Sequence, residues 1–416
     1  ILREIAVSLE KHLPELIETD IADHGSTTML ANAFSGSVPH HFKFAAENAM
    51  NLIGVGEVRP AEAGALPYIK REPIGVVAGI VPWNVPLMVS EKVACALATG
   101  NTCVVKPPSV DSLAALQLAA VIEEHGLPPG VLNVVTGPGG TVGEALAAHP
   151  DVNMVGFTGS CETGKAIMAA ASGTAKRLFL ELGGKNPFIV LADADLNAAV
   201  AKAAFALYFN TGMICASPGR IYVHEKIHDE FVDRFIAESK KVVVGDPTDE
   251  KTQMGPVVSA EHRDRVESYI NIGIEEGARL VLGGKRPVEP PLDRGYYIMP
   301  TVFTGVTQNM RIAREEIFGP VACIMKFSDT DDIIGLANDT VFGLSASVWT
   351  KDTAKGIRFA NELRAGTVWI NNHMGFGGSL PLPWGGYKES GFGKESGLMG
   401  LMEYTQTKVI SLALQE

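Results

Sequence analysis

The spacing of apolar residues changes along the chain and divides it into segments. In residues 1–54 apolar side chains recur at helical intervals, and a polar break falls at residues 24–25. Residues 54–71 contain two prolines and show little helical period. The pattern predicts a helical N-terminal segment followed by an extended arm outside the core.

After residue 73 short β-branched runs alternate with helical stretches. The runs lie at 75–81, 101–105 and 131–135, and Ala/Leu-rich helical stretches lie at 90–99 and 111–125. Because strands that alternate with helices pair in parallel through crossover connections, we expect a parallel α/β sheet.

A second strand-and-helix series follows residue 181. Its predicted strands lie at 187–191, 219–223 and 342–349. Residues 407–414 read as one further strand, with no obvious partner nearby in the sequence. An unpaired strand end is satisfied most simply by a second subunit, so we expect a homodimer or homotetramer.

Composition narrows the functional classes. The 416 residues are 46% hydrophobic and include 44 glycines, which is enough for two or three domains with sizeable cores. The formal net charge is -12 and no Lys/Arg-rich run is present, so a nucleic-acid or anionic-membrane partner is not expected. Apolar stretches are interrupted well before the roughly 18 residues of a membrane-spanning helix.

The five cysteines are scattered over the chain. They form no CxxC pair and no Cys/His spacing typical of a metal site, so no metal is predicted. Such a set suits a reducing compartment, and we expect the cytoplasm. The chain begins at Ile1 inside a helical pattern, so we expect part of the natural N-terminus to precede it.

One carboxylate and one cysteine stand beside glycine-rich sequence. Glu181 lies in Leu-Glu-Leu-Gly-Gly-Lys-Asn-Pro at 180–187, and Cys215 ends Asn-Thr-Gly-Met-Ile-Cys at 210–215. A thiol is a potential nucleophile, a carboxylate is a potential general base, and glycines let backbone approach a ligand. The pair predicts covalent catalysis followed by hydrolysis.

Polar residues also follow the predicted strands of the first series. Asn84 lies on a stiff turn between two prolines, Lys106 ends the second run, and Gly159 and Ser160 precede a helix. Ligands of open α/β sheets collect at this edge, and helix N-termini suit pyrophosphate. Taken singly, each also fits a plainer interpretation: a rigid turn with Trp83 in the core, a solvated lysine, and a weak phosphate motif.

Taken together, the segments resemble the aldehyde dehydrogenase superfamily in its hydrolytic, NAD(P)-dependent branch. The likeness rests on PWN at 82–84, KPPS at 106–109, FTGS at 157–160, LELGGKNP at 180–187, the cysteine at 215, EEIFGP at 315–320 and WGGYKESG at 384–391. These segments span essentially the whole chain.

The resemblance implies an α/β fold with three parts. A Rossmann-like cofactor domain would comprise residues 1–54 and 74–183, and an α/β catalytic domain would comprise 184–402. A small β oligomerisation element would combine residues 55–73 with 403–416.

The resemblance also implies a reaction and its catalytic residues. An aldehyde would be oxidised to a carboxylic acid with NAD or NADP. Cys215 would attack the carbonyl to give a thiohemiacetal, and the Asn84 side chain with the Cys215 backbone N–H would hold its oxyanion. Transfer of hydride to the nicotinamide would leave a thioester, which Glu181 would hydrolyse by activating water.

Further residues would bind the cofactor by the same resemblance. Lys106 would contact the adenine ribose, Ser160 beside Gly159 the pyrophosphate, and Glu316 the nicotinamide ribose. Phe318 and Trp83 would shape the walls.

Ser109 stands where many NAD-preferring members carry Glu. A carboxylate there would bind a ribose 2′-hydroxyl and repel a 2′-phosphate, so its absence predicts that NADP is tolerated.

Two other departures concern the substrate. Met213 replaces a frequent Gln and Trp384 a frequent Phe, which favours an uncharged aromatic or medium-chain aldehyde. Glu91, on the helix after the Asn84 turn, would suit an amino-aldehyde if it faced the tunnel, but a solvent-facing helix charge is the preferred interpretation.

Three other functions fit these residues less well. A CoA-acylating enzyme would not need Glu181, and a catalytically silent protein of the same fold would not need Asn84, Glu181 and Cys215 together. A cofactor-free thiol hydrolase would need a Cys/His pair, and no histidine lies near Cys215 in the sequence.

Overall fold

The computed structural model describes residues 1–53, 56–58, 65–375 and 382–413. Its strands, numbered in chain order, are β1 Glu57–Val58, β2 Ala65–Pro73, β3 Val76–Ile80, β4 Thr102–Lys106, β5 Leu132–Val134, β6 Met154–Thr158, β7 Arg177–Glu181, β8 Pro187–Val190, β9 Arg220–His224, β10 Arg279–Leu282, β11 Thr301–Thr304, β12 Val321–Phe327, β13 Ser345–Trp349, β14 Thr367–Ile370, β15 Gly391–Phe392 and β16 Thr405–Ala413.

The α-helices of the described residues connect and cover these strands. They are α1 Leu2–His24, α2 Thr28–Ser35, α3 Val38–Ile53, α4 Val89–Ala98, α5 Leu113–Glu123, α6 Glu144–Ala148, α7 Cys161–Ala171, α8 Leu196–Tyr208, α9 Glu225–Ser239, α10 Ala260–Glu275, α11 Arg311–Arg314, α12 Ile333–Asn338, α13 Thr353–Glu362 and α14 Gly397–Glu403. None of the helices in this part of the chain is both long and apolar enough to cross a membrane.

A six-stranded sheet, here called the first sheet, has the order β15-β7-β6-β3-β4-β5. All pairs except β15·β7 are parallel, as the alternating pattern predicts. Helices α1, α3, α4 and α5 pack on one face and α6 and α7 on the other. With both faces covered, its strands are runs of buried apolar residues. The carboxyl ends of β3, β4, β6 and β7 therefore share one edge.

The second sheet has seven strands in the order β10-β11-β12-β9-β8-β13-β14. Its pairs are parallel except β10·β11. The predicted strands at 187–191, 219–223 and 342–349 correspond to β8, β9 and β13, with ends shifted by at most three residues. The α/β fold class is thus confirmed for both series.

The arm and the C-terminal strand pair with each other, contrary to the expectation of an unpartnered end. β16 runs antiparallel to β2 from Thr405 opposite Pro73 to Ala413 opposite Ala65. Periodicity could not reveal this pairing because the two strands lie at opposite ends of the chain. In the sheet order β1-β2-β16 the last strand is still an edge, and it exposes Val409 and Leu412.

Candidate active site

A large cavity opens at the shared edge of the first sheet, where the second sheet faces it. Its volume is about 1330 Å³. It is lined by eight of the ten catalytic and cofactor residues predicted from the sequence: Trp83, Asn84, Gly159, Ser160, Glu181, Cys215, Glu316 and Phe318. Trp83, Asn84, Gly159, Ser160 and Glu181 meet at this edge because β3, β6 and β7 end there, whereas Cys215, Glu316 and Phe318 come from loops of the second series.

Cys215 lies on a loop with an unusual backbone. Asn210 and Thr211 have φ of 48° and 54°, which side-chain-bearing residues rarely adopt, and Gly212 has φ of 76°. Hydrogen bonds fix the loop: Asn210 Nδ2 donates to the Asn84 carbonyl at 2.7 Å, and Asn186 Nδ2 donates to the Cys215 carbonyl at 2.7 Å. The thiol is thereby held half-buried at the cavity wall.

The surroundings of the Cys215 thiol favour its neutral form. Burial raises its pKa well above the ordinary value, and the carboxylates of Glu181, Glu316 and Glu395 raise it further. The backbone N–H of Ala216 acts in the opposite direction. Attack as a thiolate therefore requires more stabilisation of the anion than these neighbours supply.

Glu181 ends β7 and is 2% exposed. Burial raises the pKa of its carboxyl to about 8, and nearby Glu395 adds to the rise. A hydrogen bond from the indole of Trp384 to Oε1, at 2.9 Å, and the ammonium of Lys92 favour the ionised form. A carboxylate with a pKa in this range can accept a proton from water near neutral pH.

Asn84 faces the Cys215 loop from the turn after β3. Its Nδ2 donates to the Met213 carbonyl at 3.0 Å, two residues before Cys215. An amide nitrogen carries two N–H groups, so a second donor is available to a ligand in the cavity. The turn and the loop therefore hold each other in place.

The cavity also has features that fit a dinucleotide. Ser160 is the N-cap of α7, so the backbone N–H groups of this helix end face the cavity where Gly159 and Ser160 line it. Glu316 Oε1 accepts from the Gly184 N–H at 2.8 Å, and a Cβ on Gly183 would lie 2.4 Å from Glu316 Oε2. Glycine at 183 thus leaves room for the Glu316 carboxylate beside the main chain. Burial raises the pKa of Glu316 to about 7.

An aromatic cluster closes this side of the cavity. Trp83 meets Phe318 edge-on, with ring centroids 5.4 Å apart, and meets His262 at 5.0 Å. His262 Nε2 donates a hydrogen bond to the Phe318 carbonyl at 2.8 Å. Phe318 itself has a strained φ of 60°. Sequence reasoning selected Trp83 and Phe318 but missed His262, which has no motif around it.

Two residues selected for the cofactor do not line the cavity. Lys106 is buried, and its ammonium donates to the Pro107 carbonyl at 2.7 Å. Ser109 is exposed and donates to the Gly137 carbonyl at 2.9 Å. Lys106 is the last residue of β4, and Ser109 follows it on the loop, next to the cavity-lining Val110.

Two side chains differ from their sequence-based interpretation. Met213 is 1% exposed and packs in the core of the second sheet, so it adds no surface to a substrate tunnel; its carbonyl is what contacts Asn84. Glu91 is not a solvent-facing helix charge: it is 7% exposed, lines the cavity, and is hydrogen-bonded to Ser396. Helical periodicity could not separate the cavity face of α4 from its solvent face.

A buried ion pair next to Glu181 was also missed. Lys92 on α4 bonds to Glu395, and both side chains line the cavity. The Lys92 ammonium lies 4.7 Å above the ring of Phe179. In the sequence the partners are isolated charges three hundred residues apart, so only the fold pairs them.

The chain matches the aldehyde dehydrogenase family over residues 1–410. It is 45% identical to the betaine aldehyde dehydrogenase of Bacillus subtilis, over 98% of this chain and 83% of that protein. It is 46% identical to a mitochondrial aldehyde dehydrogenase of Homo sapiens, over 87% of this chain and 69% of that protein.

Solved structures agree with these relatives. A betaine aldehyde dehydrogenase of Staphylococcus aureus in complex with NAD+ is 40% identical, with a TM-score of 0.96. The match covers 100% of this chain and 82% of that one. The chain therefore belongs to the aldehyde dehydrogenase family, and it oxidises an aldehyde to a carboxylic acid with NAD(P) through a thiohemiacetal and a thioester on cysteine.

Proposed function

We propose that Cys215 is the nucleophile of this aldehyde oxidation, that Asn84 stabilises the oxyanion, and that Glu181 activates the hydrolytic water. The observation that carries the proposal is that these side chains, from three separate segments, line one cavity. Beside them stand the Ser160 helix end and the Glu316 carboxylate, which suit a dinucleotide.

The proposed steps follow from these positions. The Cys215 sulfur bonds to the aldehyde carbon, and the oxyanion accepts hydrogen bonds from the Asn84 amide and the Cys215 N–H. A bound nicotinamide would accept the hydride that leaves the aldehyde carbon when its C–H bond breaks, and the carbon that remains bonded to the Cys215 sulfur becomes a thioester carbonyl. Glu181 then takes a proton from water while the water oxygen attacks the thioester carbonyl. The carbon–sulfur bond breaks, which releases the carboxylic acid and returns the thiolate.

Three substitutions test the division of roles. Cys215→Ala should abolish oxidation, whereas Glu181→Gln should give one burst of reduced cofactor and then stall, with the acyl mass retained on the protein. Asn84→Ala should slow turnover by roughly 10² to 10³ if its amide is an oxyanion donor. Steady turnover by the Glu181 variant would exclude Glu181 as the base and reopen CoA-dependent release.

For the substrate we propose an uncharged aromatic or medium-chain aldehyde. The cavity presents Phe34, Phe44, Trp369 and Trp384, which offer apolar surface to a side chain. The buried Glu91 carboxylate favours a second candidate, a cationic aldehyde such as an amino-aldehyde or betaine aldehyde, as in the names of the relatives. Rates for a panel of aliphatic, aromatic, amino- and betaine aldehydes, repeated with Glu91→Gln, separate the two.

Assembly and location complete the proposal. We propose a homodimer or homotetramer joined through the β1-β2-β16 element, whose edge strand exposes Val409 and Leu412. A light-scattering mass of one chain would exclude this assembly.

The domain limits at residues 54, 73, 183 and 402 are part of the same proposal. A cytoplasmic location is supported by five unpaired cysteines, and cell fractionation tests it.

A further inference from the structure

The indole of Trp384 touches the carboxylate that we assign as the base. Trp384 Nε1 donates a hydrogen bond to Glu181 Oε1 at 2.9 Å, and both residues line the cavity. An indole N–H donates only, so it can bond the ionised carboxylate without competing for its proton. The second carboxylate oxygen stays available to a water molecule.

Other contacts fix the orientation of this indole. The main chain of Trp384 forms two hydrogen bonds with that of Glu395, both 2.7 Å long. The ring stacks on Trp369, with centroids 6.3 Å apart and planes 28° apart. The donor is therefore preorganised towards Glu181, so the bond costs little side-chain entropy when it forms.

Several charged or titratable groups act on Glu181 besides the indole. Glu395, Glu316 and Cys215 disfavour its charge, and burial does so most strongly. Lys92 and Lys394 favour it. Lys92 is already bonded to Glu395, whereas Trp384 forms a direct hydrogen bond to the carboxylate. Of these groups that favour the charge of Glu181, Trp384 is therefore the one that bonds directly to its carboxylate.

We propose that Trp384 is a positioning residue for the hydrolytic step: its indole N–H favours the ionised form of Glu181 and keeps the carboxylate facing the cavity. The inference rests on the proposed role of Glu181 as the base. It gives the aromatic residue at 384 a function in deacylation besides any contact with the aldehyde side chain. Phenylalanine at this position would keep the wall and lose the donor.

The test is the pH dependence of thioester hydrolysis in Trp384→Phe. Acyl-enzyme is followed by intact mass after a single burst of reduced cofactor. Loss of a hydrogen bond to a charged group should raise the pH midpoint of thioester hydrolysis by about one to two pH units. Below both midpoints hydrolysis should therefore slow by about 10- to 100-fold, and at high pH it should recover. The recovery distinguishes a lost donor from a damaged site.

Trp369→Phe is the matched control. It removes an indole from the same wall, but Trp369 Nε1 donates to the Gly375 carbonyl at 2.8 Å rather than to Glu181. Phenylalanine keeps a ring for Trp384 to stack on, so this variant should change KM and leave the pH midpoint of thioester hydrolysis in place. Replacing the Trp384 indole with benzothiophene keeps the ring size and removes only the N–H, so it serves if the Phe variant misfolds.

Each outcome decides the proposal. A higher midpoint in both Trp384 variants supports it, and an unchanged midpoint, or an equal loss of rate at every pH, overturns it. Glu181→Gln separates this inference from the proposed function. If that variant turns over steadily, the assignment of the base fails; if it stalls while the Trp384 variants keep the wild-type midpoint, only the role of Trp384 fails.

Discussion

Gly212 packs directly against the carbonyl of Gly319. A Cβ placed on Gly212 would lie 2.2 Å from the Gly319 oxygen, and Gly212 itself has φ of 76°. Gly212 belongs to the loop that carries Cys215, and Gly319 follows the Glu316 and Phe318 turn. The Cys215 loop and the turn that carries Glu316 and Phe318 therefore touch at a point where no side chain fits.

Gly212→Ala should disturb the Cys215 loop and the turn that carries Glu316 and Phe318 together. The added methyl must displace backbone atoms, and the alanine must adopt a left-handed conformation. We therefore expect a loss of folding stability of about 2 kcal/mol or more. A shift of about 1 Å at Cys215 should lower kcat/KM roughly 100-fold. Steady-state kinetics and thermal denaturation check this, with Gly173→Ala, which meets open space, as control. Wild-type kinetics in Gly212→Ala would show that the contact yields easily.

Thioester hydrolysis should speed up as pH rises through about 8. Burial raises the pKa of Glu181 to about 8, and only the ionised carboxylate accepts a proton from water. At pH 6 the rate should be roughly 100-fold below its plateau, so acyl-enzyme accumulates. Rapid-quench mass measurements between pH 5.5 and about 9.5 test the profile. A flat profile would argue for a base other than Glu181.

The sequence predicts those parts of the site that depend on strand order. Strands alternating with helices place the carboxyl ends of β3, β6 and β7 together, and with them Asn84 and Glu181. The family resemblance connects Cys215, which lies on the loop before β9, to the same cavity. Local pattern and motif therefore suffice wherever the site is built from strand ends.

What the sequence could not show depends on long-range register. Trp384 reaches Glu181 because β15 pairs antiparallel with β7, with Gly391 opposite Glu181. The Lys92–Glu395 pair, the inward orientation of Glu91, and the β2–β16 pairing arise in the same way. Each joins residues whose spacing in the chain carries no periodic signal.

NADP should be accepted alongside NAD. The Ser109 hydroxyl is neutral and exposed, and it donates to the Gly137 carbonyl, so it places no negative charge beside a 2′-phosphate. Titrations with both cofactors check this, and a preference for NAD of about a thousandfold, roughly 4 kcal/mol, would contradict it. Ser109→Glu should raise the preference for NAD by about tenfold through charge repulsion.

Asp111→Asn should stabilise the protein, and more so at higher pH. Asp111 is 1% exposed, and within the described part of the chain neither carboxylate oxygen has a hydrogen-bond partner. Burial, with Asp23 and Asp20 nearby, raises its pKa to about 9 from an unfolded value of 3.8. Between these values the folded state binds one more proton than the unfolded state, so the wild type loses stability as pH rises.

The asparagine variant lacks this proton linkage because its amide does not titrate. Its advantage should be smallest near pH 4 and reach about 1–3 kcal/mol near pH 8, a size typical of a buried polar group without a partner. Thermal midpoints across this pH range measure the difference. Asp151→Asn, at an exposed position, should show no such trend. Equal midpoints for wild type and Asp111→Asn at pH 8 would mean that the buried carboxyl is compensated by some other group.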